Sequence, residues 1–212
     1  MTTRYLVAAL LAMFLGASWA GTPGSSHALA QEVHQRLQDV AVLRGEFEQS
    51  KWVVGFKKPL ISKGSFLIAR DKGVLWTTRE PFPGQLRLTR GEIRATQNGA
   101  VAFQLDASKE PGVRAINSMM FALLGGDIAA LSDAFVITGK TLGDRKTGRW
   151  QLHLLPQQPG LDKFLQSVDL SGDTFVRQIN IQEANGDKTQ IRFTAHGSMP
   201  PQLSSTEAAS FD

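Results

Sequence analysis

The hydrophobic positions change their spacing along the chain. Over residues 28–42 the apolar residues Ala30, Val33 and Leu37 recur three or four positions apart, with Arg36 on the opposite, polar side. This spacing predicts an amphipathic helix whose apolar stripe lies on another element. After this segment apolar and polar residues alternate, which predicts strands with one apolar face and an antiparallel sheet buried on one side.

Eleven segments carry this alternation. The predicted strands cover residues 44–54, 60–70, 74–79, 85–90, 92–97, 100–105, 134–139, 149–155, 165–170, 175–183 and 187–195. Asn98-Gly99 and Asn185-Gly186 are typical of tight hairpin turns, so consecutive strands are expected to be antiparallel neighbours. A second helix is predicted over residues 113–124, before Gly125-Gly126 stops it.

Eleven strands in a chain of 212 residues are too many for a flat sheet, so the sheet is expected to curl. The predicted fold is mainly β: an unclosed antiparallel barrel of about eleven strands, covered by short helices around a hydrophobic cavity. The pattern leaves two outcomes open. Either side chains and helices fill the hollow, or a partly empty hollow takes an apolar ligand.

Arg70 presents a similar alternative. It shares one face of the predicted strand 60–70 with Phe66 and Ile68, because residues two apart point to the same side. If that face is buried, the guanidinium needs acceptors, and the unpaired carbonyls at a helix C-terminus would supply them. Otherwise Arg70 is a strand-end arginine that pairs with solvent or with Glu80.

The first twenty residues have the pattern of a secretory signal peptide. Arg4 precedes an apolar run over Leu6–Leu15, and small residues follow up to Ala20. We therefore expect export across the inner membrane and a periplasmic protein. The predicted organisation is as follows: signal peptide 1–20, linker 21–27, β-domain 28–198 and loose C-terminal tail 199–212.

Composition removes several function classes. The net charge is +4, but Lys and Arg are scattered singly, so nucleic-acid binding is not predicted. Cysteine is absent, which excludes disulfides, thiolate metal sites and a cysteine nucleophile. The chain has no hydrolase, zinc-protease or phosphate-loop motif, and its four histidines lack metal-ligand spacing. We predict no catalytic residues, no metal, no cofactor and no enzymatic activity.

Four short stretches of sequence within residues 28–195 resemble the same protein family. They are Leu37 with Phe47 and Gln49; Gly64-Ser65-Phe66 with Arg70, Trp76 and Pro81; Phe121–Gly126 before Ile137-Thr138-Gly139; and Gly186-Asp187 with Ile191 and Phe193. Together they resemble the periplasmic outer-membrane lipoprotein carrier proteins, the LolA-like family. Asp71 stands where that family has proline after the arginine, which suits a divergent paralogue.

The resemblance implies an unclosed barrel with a helical lid over a hydrophobic cavity. In the family the matching arginine holds the closed lid through backbone contacts. Arg70 would therefore be the latch, with lid contacts near Leu37, Leu124 and Gly125. The residues expected to line the lipid cavity are Phe47, Phe66, Ile68, Trp76, Leu86, Leu88, Met120, Phe121 and Leu152.

The function that the resemblance implies is a monomeric periplasmic carrier. It would bind the acyl chains of a lipoprotein or related lipid and shuttle this cargo from the inner to the outer membrane. The implied partners are a donor transporter in the inner membrane and an acceptor at the outer membrane. Two alternatives remain open: a periplasmic lipid or lipoprotein sensor or interaction module of the same fold, and a carrier of a different, non-lipoprotein lipid.

Overall fold

The computed structural model describes residues 23–106, 109, 121–122, 128–144 and 148–211. Most of them belong to one eleven-stranded antiparallel sheet. The strands are β1 (Val42–Trp52), β2 (Leu60–Ala69), β3 (Gly73–Glu80), β4 (Gly84–Leu88), β5 (Glu92–Gln97), β6 (Ala100–Asp106), β7 (Phe135–Leu142), β8 (Arg149–Pro156), β9 (Leu165–Gly172), β10 (Val176–Glu183) and β11 (Lys188–Gly197). The helices are α1 (Pro23–His34) and α2 (Ser205–Ala209), with 3-10 turns at Ile128–Asp133 and Leu161–Lys163.

The sheet has the order β6-β5-β4-β3-β2-β1-β11-β10-β9-β8-β7. Strands that follow one another in the chain pair with each other, except β6 and β7, and the β1–β11 pairing joins the two halves. Strands β6 and β7 are the two edges, and no pairing joins them in the described part of the chain. The predicted unclosed antiparallel architecture is confirmed, and every predicted strand has a counterpart. The largest boundary difference is in β7, which continues to Leu142.

Helix α1 begins earlier than predicted, inside the segment 21–27 that was expected to be a linker. It starts at Pro23. Proline suits the first turn of a helix, because the N–H that it lacks would have no partner there. The Pro-Gly-Ser composition that suggested a linker is thus compatible with a helix start.

Helix α1 also ends earlier than the predicted residue 42. The N–H groups of Arg36 and Leu37 bond three residues back, in the tighter 3-10 pattern. The next N–H, of Gln38, donates to the carbonyl oxygen of Thr174 at 2.8 Å, in the turn between β9 and β10. A tertiary hydrogen bond therefore ends the helix, although the apolar spacing continues.

The concave face of the sheet holds the main core. Ala30 and Val33, predicted for the apolar stripe of α1, are both 0% exposed. The helix packs against β7 and against the 3-10 turn that contributes the buried Ile128 and Leu131. Of the predicted helix 113–124, only residues 121 and 122 are described, and both are helical.

Arg36 corrects the expectation that it lies on the polar side of the helix. Its side chain is only 7% exposed. One guanidinium nitrogen lies 3.0 Å from Oε1 of Glu32, and the other donates to the carbonyl oxygen of Asp144 at 2.6 Å. A buried arginine thus ties α1 to the loop after β7: these acceptors satisfy its two terminal nitrogens, whereas its buried Nε has no hydrogen-bond partner among the described residues.

The C-terminal segment is docked, so the predicted loose tail is wrong for its described residues. Phe211 is 6% exposed and packs in a second cluster with Leu67 of β2 and Leu75 of β3. These residues lie on the outer face of the sheet, since they alternate with core residues such as Phe66 and Ile68. The tail therefore covers the back of β1, β2 and β3.

An ion pair fixes the same segment. Nε and Nη2 of Arg44 each lie 2.7 Å from one carboxylate oxygen of Glu207, in the two-point geometry that favours Arg–carboxylate pairing. The hydrogen bond from Arg44 lowers the pKa of Glu207 from 4.5 to about 2. Since the folded-state pKa is depressed, the pair stabilises the tail at neutral pH and is lost as the pH falls from 4.5 towards 2.

We predict that Phe211→Ala lowers the free energy of unfolding by about 2–4 kcal/mol, because it removes a buried ring. Denaturation in urea measures this change. The matched control is Phe82→Ala, since Phe82 is 72% exposed, and its change should stay below about 0.5 kcal/mol. An equally small effect of both substitutions would contradict the docking of the tail.

Candidate functional site

A cavity of about 430 Å³ opens beside the C-terminal end of α1, among strands β1, β2, β10 and β11. This volume lies within the range of small-molecule pockets. The wall is mainly apolar and includes Leu37, Val40, Leu43, Phe66, Ile68, Phe121, Ala122, Phe175, Val176 and Phe193. The polar lining residues are His34, Gln38, Asp39, Arg70 and His196. We call this cavity the apolar pocket.

Two glycines shape the floor of the apolar pocket. Phe66 of β2 pairs with Gly45 of β1, and Phe47 of β1 pairs with Gly64 of β2. A Cβ atom at Gly45 would lie 2.5 Å from the Phe66 ring, and one at Gly64 would lie 2.8 Å from the Phe47 ring. Each ring therefore lies across the neighbouring strand where no side chain stands. Two glycines inside strands were the sequence signal for this close approach.

Further rings extend this floor. Phe47 stacks on Trp76 with ring centroids 3.8 Å apart and an interplanar angle of 25°. Phe193 meets Phe66 edge to face at 5.3 Å and Trp76 at 6.0 Å. Stacked and edge-to-face contacts fix the relative orientation of aromatic side chains. The pocket therefore rests on a packed aromatic cluster that joins β1, β2, β3 and β11.

The structure brings together only part of the predicted cavity lining. Phe66, Ile68 and Phe121 line the apolar pocket. Phe47 and Trp76 lie in the aromatic cluster beside Phe66.

The other predicted lining residues do not contribute to this pocket. Leu88 and Leu152 are buried and Leu86 is half-buried, but they belong to the core on β4 and β8. Alternation correctly gave their face of the sheet, but it carries no information on where along the sheet the core is left open. Met120 lies outside the described residues.

Arg70 lies at the edge of the pocket rather than inside the core. Its side chain is 54% exposed, which favours the strand-end alternative over a buried guanidinium, although its partner is Asp39 rather than Glu80. Strand β2 ends at Ala69, and Arg70 follows it at the edge of the sheet. Its Nη2 atom donates to the carbonyl oxygen of Val40 at 3.0 Å, and the guanidinium forms an ion pair with Asp39.

The expected contacts of Arg70 are only partly described. Leu37 lines the same pocket, whereas Leu124 and Gly125 lie outside the described residues. The contacts that are described fasten Arg70 to the segment 39–41 after α1, since its backbone N–H also donates to Ala41 at 3.0 Å. Arg70 therefore joins the sheet to the chain that forms one wall of the pocket.

His196 was missed because a β-bulge moves it. The register places Arg44 opposite Gly197 and Glu46 opposite Thr194, so two residues of β11 face Gly45 alone. A bulge of this kind interrupts the alternation of side chains. His196 consequently lines the pocket beside Phe193, with ring centroids 6.2 Å apart.

The polar side of the pocket near His196 carries paired charges. Nδ1 of His196 accepts a hydrogen bond from Arg177 at 2.8 Å, and Nε of Arg177 lies 2.9 Å from both carboxylate oxygens of Asp173. Burial alone would raise the pKa of Asp173, but hydrogen bonds from Arg177 and from the N–H of Phe175 outweigh it and lower the pKa. The carboxylate therefore stays ionised and neutralises Arg177.

The pKa of His196 is lowered from 6.5, first because burial disfavours the imidazolium and second because Arg177 is positive. Between the lowered pKa of the folded protein and 6.5, the unfolded chain therefore binds a proton at His196 that the folded chain does not.

We therefore predict that the free energy of unfolding falls as the pH drops below 6.5. His196→Phe should flatten this dependence in a series of unfolding curves, whereas a Phe substitution at the exposed His27 should not. A slope unchanged by His196→Phe would contradict the assignment.

No helix in the described ranges is both long and apolar enough to span a bilayer.

Several solved structures are similar to this chain. A DUF1329 family protein from Desulfovibrio piger is 13% identical, with 89% of this chain and 96% of that chain covered and a TM-score of 0.51. A LolA superfamily protein from Nitrosomonas europaea is 8% identical over 81% of this chain and 92% of that chain, with a TM-score of 0.44. MucB of Pseudomonas aeruginosa, in its complex with MucA, is 10% identical over 86% of this chain and 62% of that chain, with a TM-score of 0.43.

The similarity to the Desulfovibrio piger protein supports a common fold and nothing finer. No curated protein matches the chain. The family match is more extensive: the family described as outer membrane lipoprotein carrier protein LolA-like matches residues 21–209. This range includes the whole sheet, the apolar pocket and most of the docked C-terminal segment. The chain therefore belongs to the LolA-like family of outer membrane lipoprotein carrier proteins.

Proposed function

We propose that the chain is a periplasmic carrier that shelters acyl chains of a lipoprotein, or of a related lipid, between the inner and outer membranes. The observation that carries this proposal is the apolar pocket of about 430 Å³ on its aromatic floor. Burial of one methylene group is worth ~0.8 kcal/mol, so a long acyl chain avoids water by roughly 10 kcal/mol. A carrier must offer such a chain shelter from water, and most of the residues that line this pocket are apolar.

The electrostatics of the pocket favour an apolar cargo. Arg70 pairs with Asp39, and Arg177 pairs with Asp173, so both guanidinium groups near the pocket have a carboxylate partner. Burial keeps His196 neutral at the pH where proteins usually work, because it lowers the pKa of the imidazole. An anionic ligand would have to compete with these carboxylates for the guanidinium groups, whereas a hydrocarbon chain would not.

The contacts of Arg70 supply a way to release the cargo. The segment 39–41 forms part of the pocket edge, and Arg70 holds it through Val40 and Asp39. Cargo that pushes this segment outward must break those contacts. The energy they contribute to the empty state lowers the affinity for cargo, and a carrier needs such a reduction to pass its cargo on.

Family membership extends the proposal to partners. The carrier would take its cargo from a donor transporter in the inner membrane and deliver it to an acceptor at the outer membrane. The proposed activity is binding and transfer, without a chemical reaction.

We predict that Arg70→Leu slows cargo release about two- to fivefold, because an exposed ion pair contributes up to about 1 kcal/mol to the closed state. Transfer of a fluorescent acylated peptide from the protein to phospholipid vesicles measures the rate. Arg79→Leu is the matched control, since Arg79 is 51% exposed and pairs with Glu46 at 2.8 Å away from the pocket. Equal release by Arg70→Leu and the parent would refute the latch.

A second prediction concerns the space in the pocket. Ala130 is exposed at the pocket wall, so Ala130→Trp should fill part of the cavity without disturbing the core. Losing room for two methylenes costs ~1.6 kcal/mol, so the affinity for a fluorescent fatty acid should fall about tenfold or more. The control is Ala102→Trp on the edge strand β6, where the alanine is also exposed.

The cargo itself is identified by native mass spectrometry of the protein purified from its own periplasm, followed by lipid extraction. A bound acylated species supports the carrier. An unliganded protein whose weak fatty-acid binding is the same in Ala130→Trp and in the parent would overturn it.

A further inference from the structure

Large apolar side chains project from several loops at one end of the sheet. Val54 and Phe56, in the loop between β1 and β2, are each 66% exposed, and Phe164, just before β9, is 67% exposed. Phe82, between β3 and β4, is 72% exposed. Antiparallel pairing puts these loops at the same end, because Trp52 at the end of β1 pairs with Lys188 at the start of β11.

Two of these loops, β1–β2 and β8–β9, are hydrogen-bonded to the turn between β10 and β11. The N–H of Val54 donates to Oδ1 of Asp187 at 3.0 Å, in the turn between β10 and β11. The N–H of Ala184, in the same turn, donates to the carbonyl oxygen of Phe164 at 3.0 Å. The apolar tips of the β1–β2 and β8–β9 loops are therefore held on either side of one turn and form a common surface.

Lysines stand beside these tips. Lys57 and Lys58 follow Phe56, Lys163 precedes Phe164, and Lys188 starts β11. All four are exposed, and none has an ion-pair partner among the residues that the structure describes.

Two of the acidic residues at the same end pair with a lysine. Glu183 lies 2.8 Å and Asp187 3.6 Å from Nζ of Lys51, so this pair of carboxylates already has a cation. Asp162 accepts the N–H of Gly160 at 3.1 Å. Directly beside Phe56 and Phe164, the lysines Lys57, Lys58 and Lys163 outnumber Asp162, so the surface combines apolar points with local positive charge.

We propose that this surface docks the protein on a bilayer that contains anionic phospholipid. We call it the loop-tip face and define it by Val54, Phe56 and Phe164 with Lys57, Lys58 and Lys163. The apolar tips enter the headgroup region, and the lysine ammonium groups bind lipid phosphates. Each contribution alone is weak, so the two together give reversible attachment.

Charge favours a membrane over a second copy of the chain. In a two-fold dimer the same face meets itself, which would bring Lys57 and Lys58 of one copy close to the lysines of the other. A bilayer instead supplies phosphates next to hydrocarbon. Separate apolar tips on loops also suit a deformable lipid surface better than a flat protein partner.

The loop-tip face is distinct from the apolar pocket. Leu43, at the start of β1, lines the pocket, whereas Trp52 ends the same strand at the loop-tip face. Nine residues of extended chain separate them by roughly 30 Å. The proposal therefore does not depend on what the pocket holds.

Sedimentation with vesicles tests the proposal. The intact chain should bind vesicles of phosphatidylglycerol mixed with phosphatidylcholine, bind pure phosphatidylcholine far less, and detach as salt increases. Lys57→Gln with Lys58→Gln should weaken binding by at least about tenfold, since each lysine contributes roughly fivefold. Phe56→Ser with Phe164→Ser should also weaken it by about tenfold or more.

The matched control changes exposed apolar residues elsewhere. Val101 and Phe103 on β6 are 48% and 47% exposed, and the double serine variant there should bind like the parent. Brominated lipid should quench the emission of the parent, and Trp52→Phe should remove that quenching, because Trp52 is 42% exposed at the loop-tip face.

Four outcomes would overturn the proposal: parental binding by the Phe56/Phe164 variant, equal loss in the β6 control, binding that ignores phosphatidylglycerol, and a concentration-dependent dimer abolished by the same substitutions. Ala130→Trp separates the two proposals. It should weaken fatty-acid binding and leave vesicle binding intact, so failure of either function is seen independently.

Discussion

The structure depends on one constraint: the concave apolar face of a sheet that does not close must be covered by something other than a strand. Helix α1 and the 3-10 turn at Ile128–Asp133 cover the side near β7. Helix α1 ends just before Gln38 bonds to Thr174, and the chain then enters β1. The apolar pocket lies directly beside that point, so one backbone hydrogen bond helps to keep α1 itself out of this part of the hollow.

The aromatic cluster under the pocket gives the site a defined shape. Phe47 and Phe66 lie on facing glycines, and Trp76 and Phe193 hold them from the side. The short segment after α1 forms another wall of the pocket, and it is held by polar contacts with Arg70. Rigidity on one side and a wall held by a few polar contacts on the other are what reversible storage of a hydrocarbon chain requires.

Much of the fold could be predicted because alternation is a local property. Strands such as β5 and β6 could be recognised because apolar and polar residues alternate along them. The failures share a different cause. The end of α1, the inward position of His196 and the buried state of Arg36 each depend on a partner far away in the chain, namely Thr174, Gly45 and Asp144. No local spacing contains that information.

The candidate site was predicted less completely than the fold for the same reason. Phe66 and Ile68 were identified, but equally apolar core residues such as Leu88 were not distinguishable from them by pattern. Family resemblance drew attention to Arg70, and the structure shows its contacts with Asp39 and Val40.

Strand β2 is covered on both of its faces, and this has a practical consequence. Phe66 and Ile68 face the pocket while Leu67, between them, touches the cluster around Phe211, so the wall is a single strand thick. The apolar pocket and the C-terminal segment therefore lie on opposite faces of the same strand. A purification tag or reporter fused after Asp212 would follow directly on Phe211, which packs on the reverse side of the pocket wall, and such fusions call for comparison with the untagged molecule.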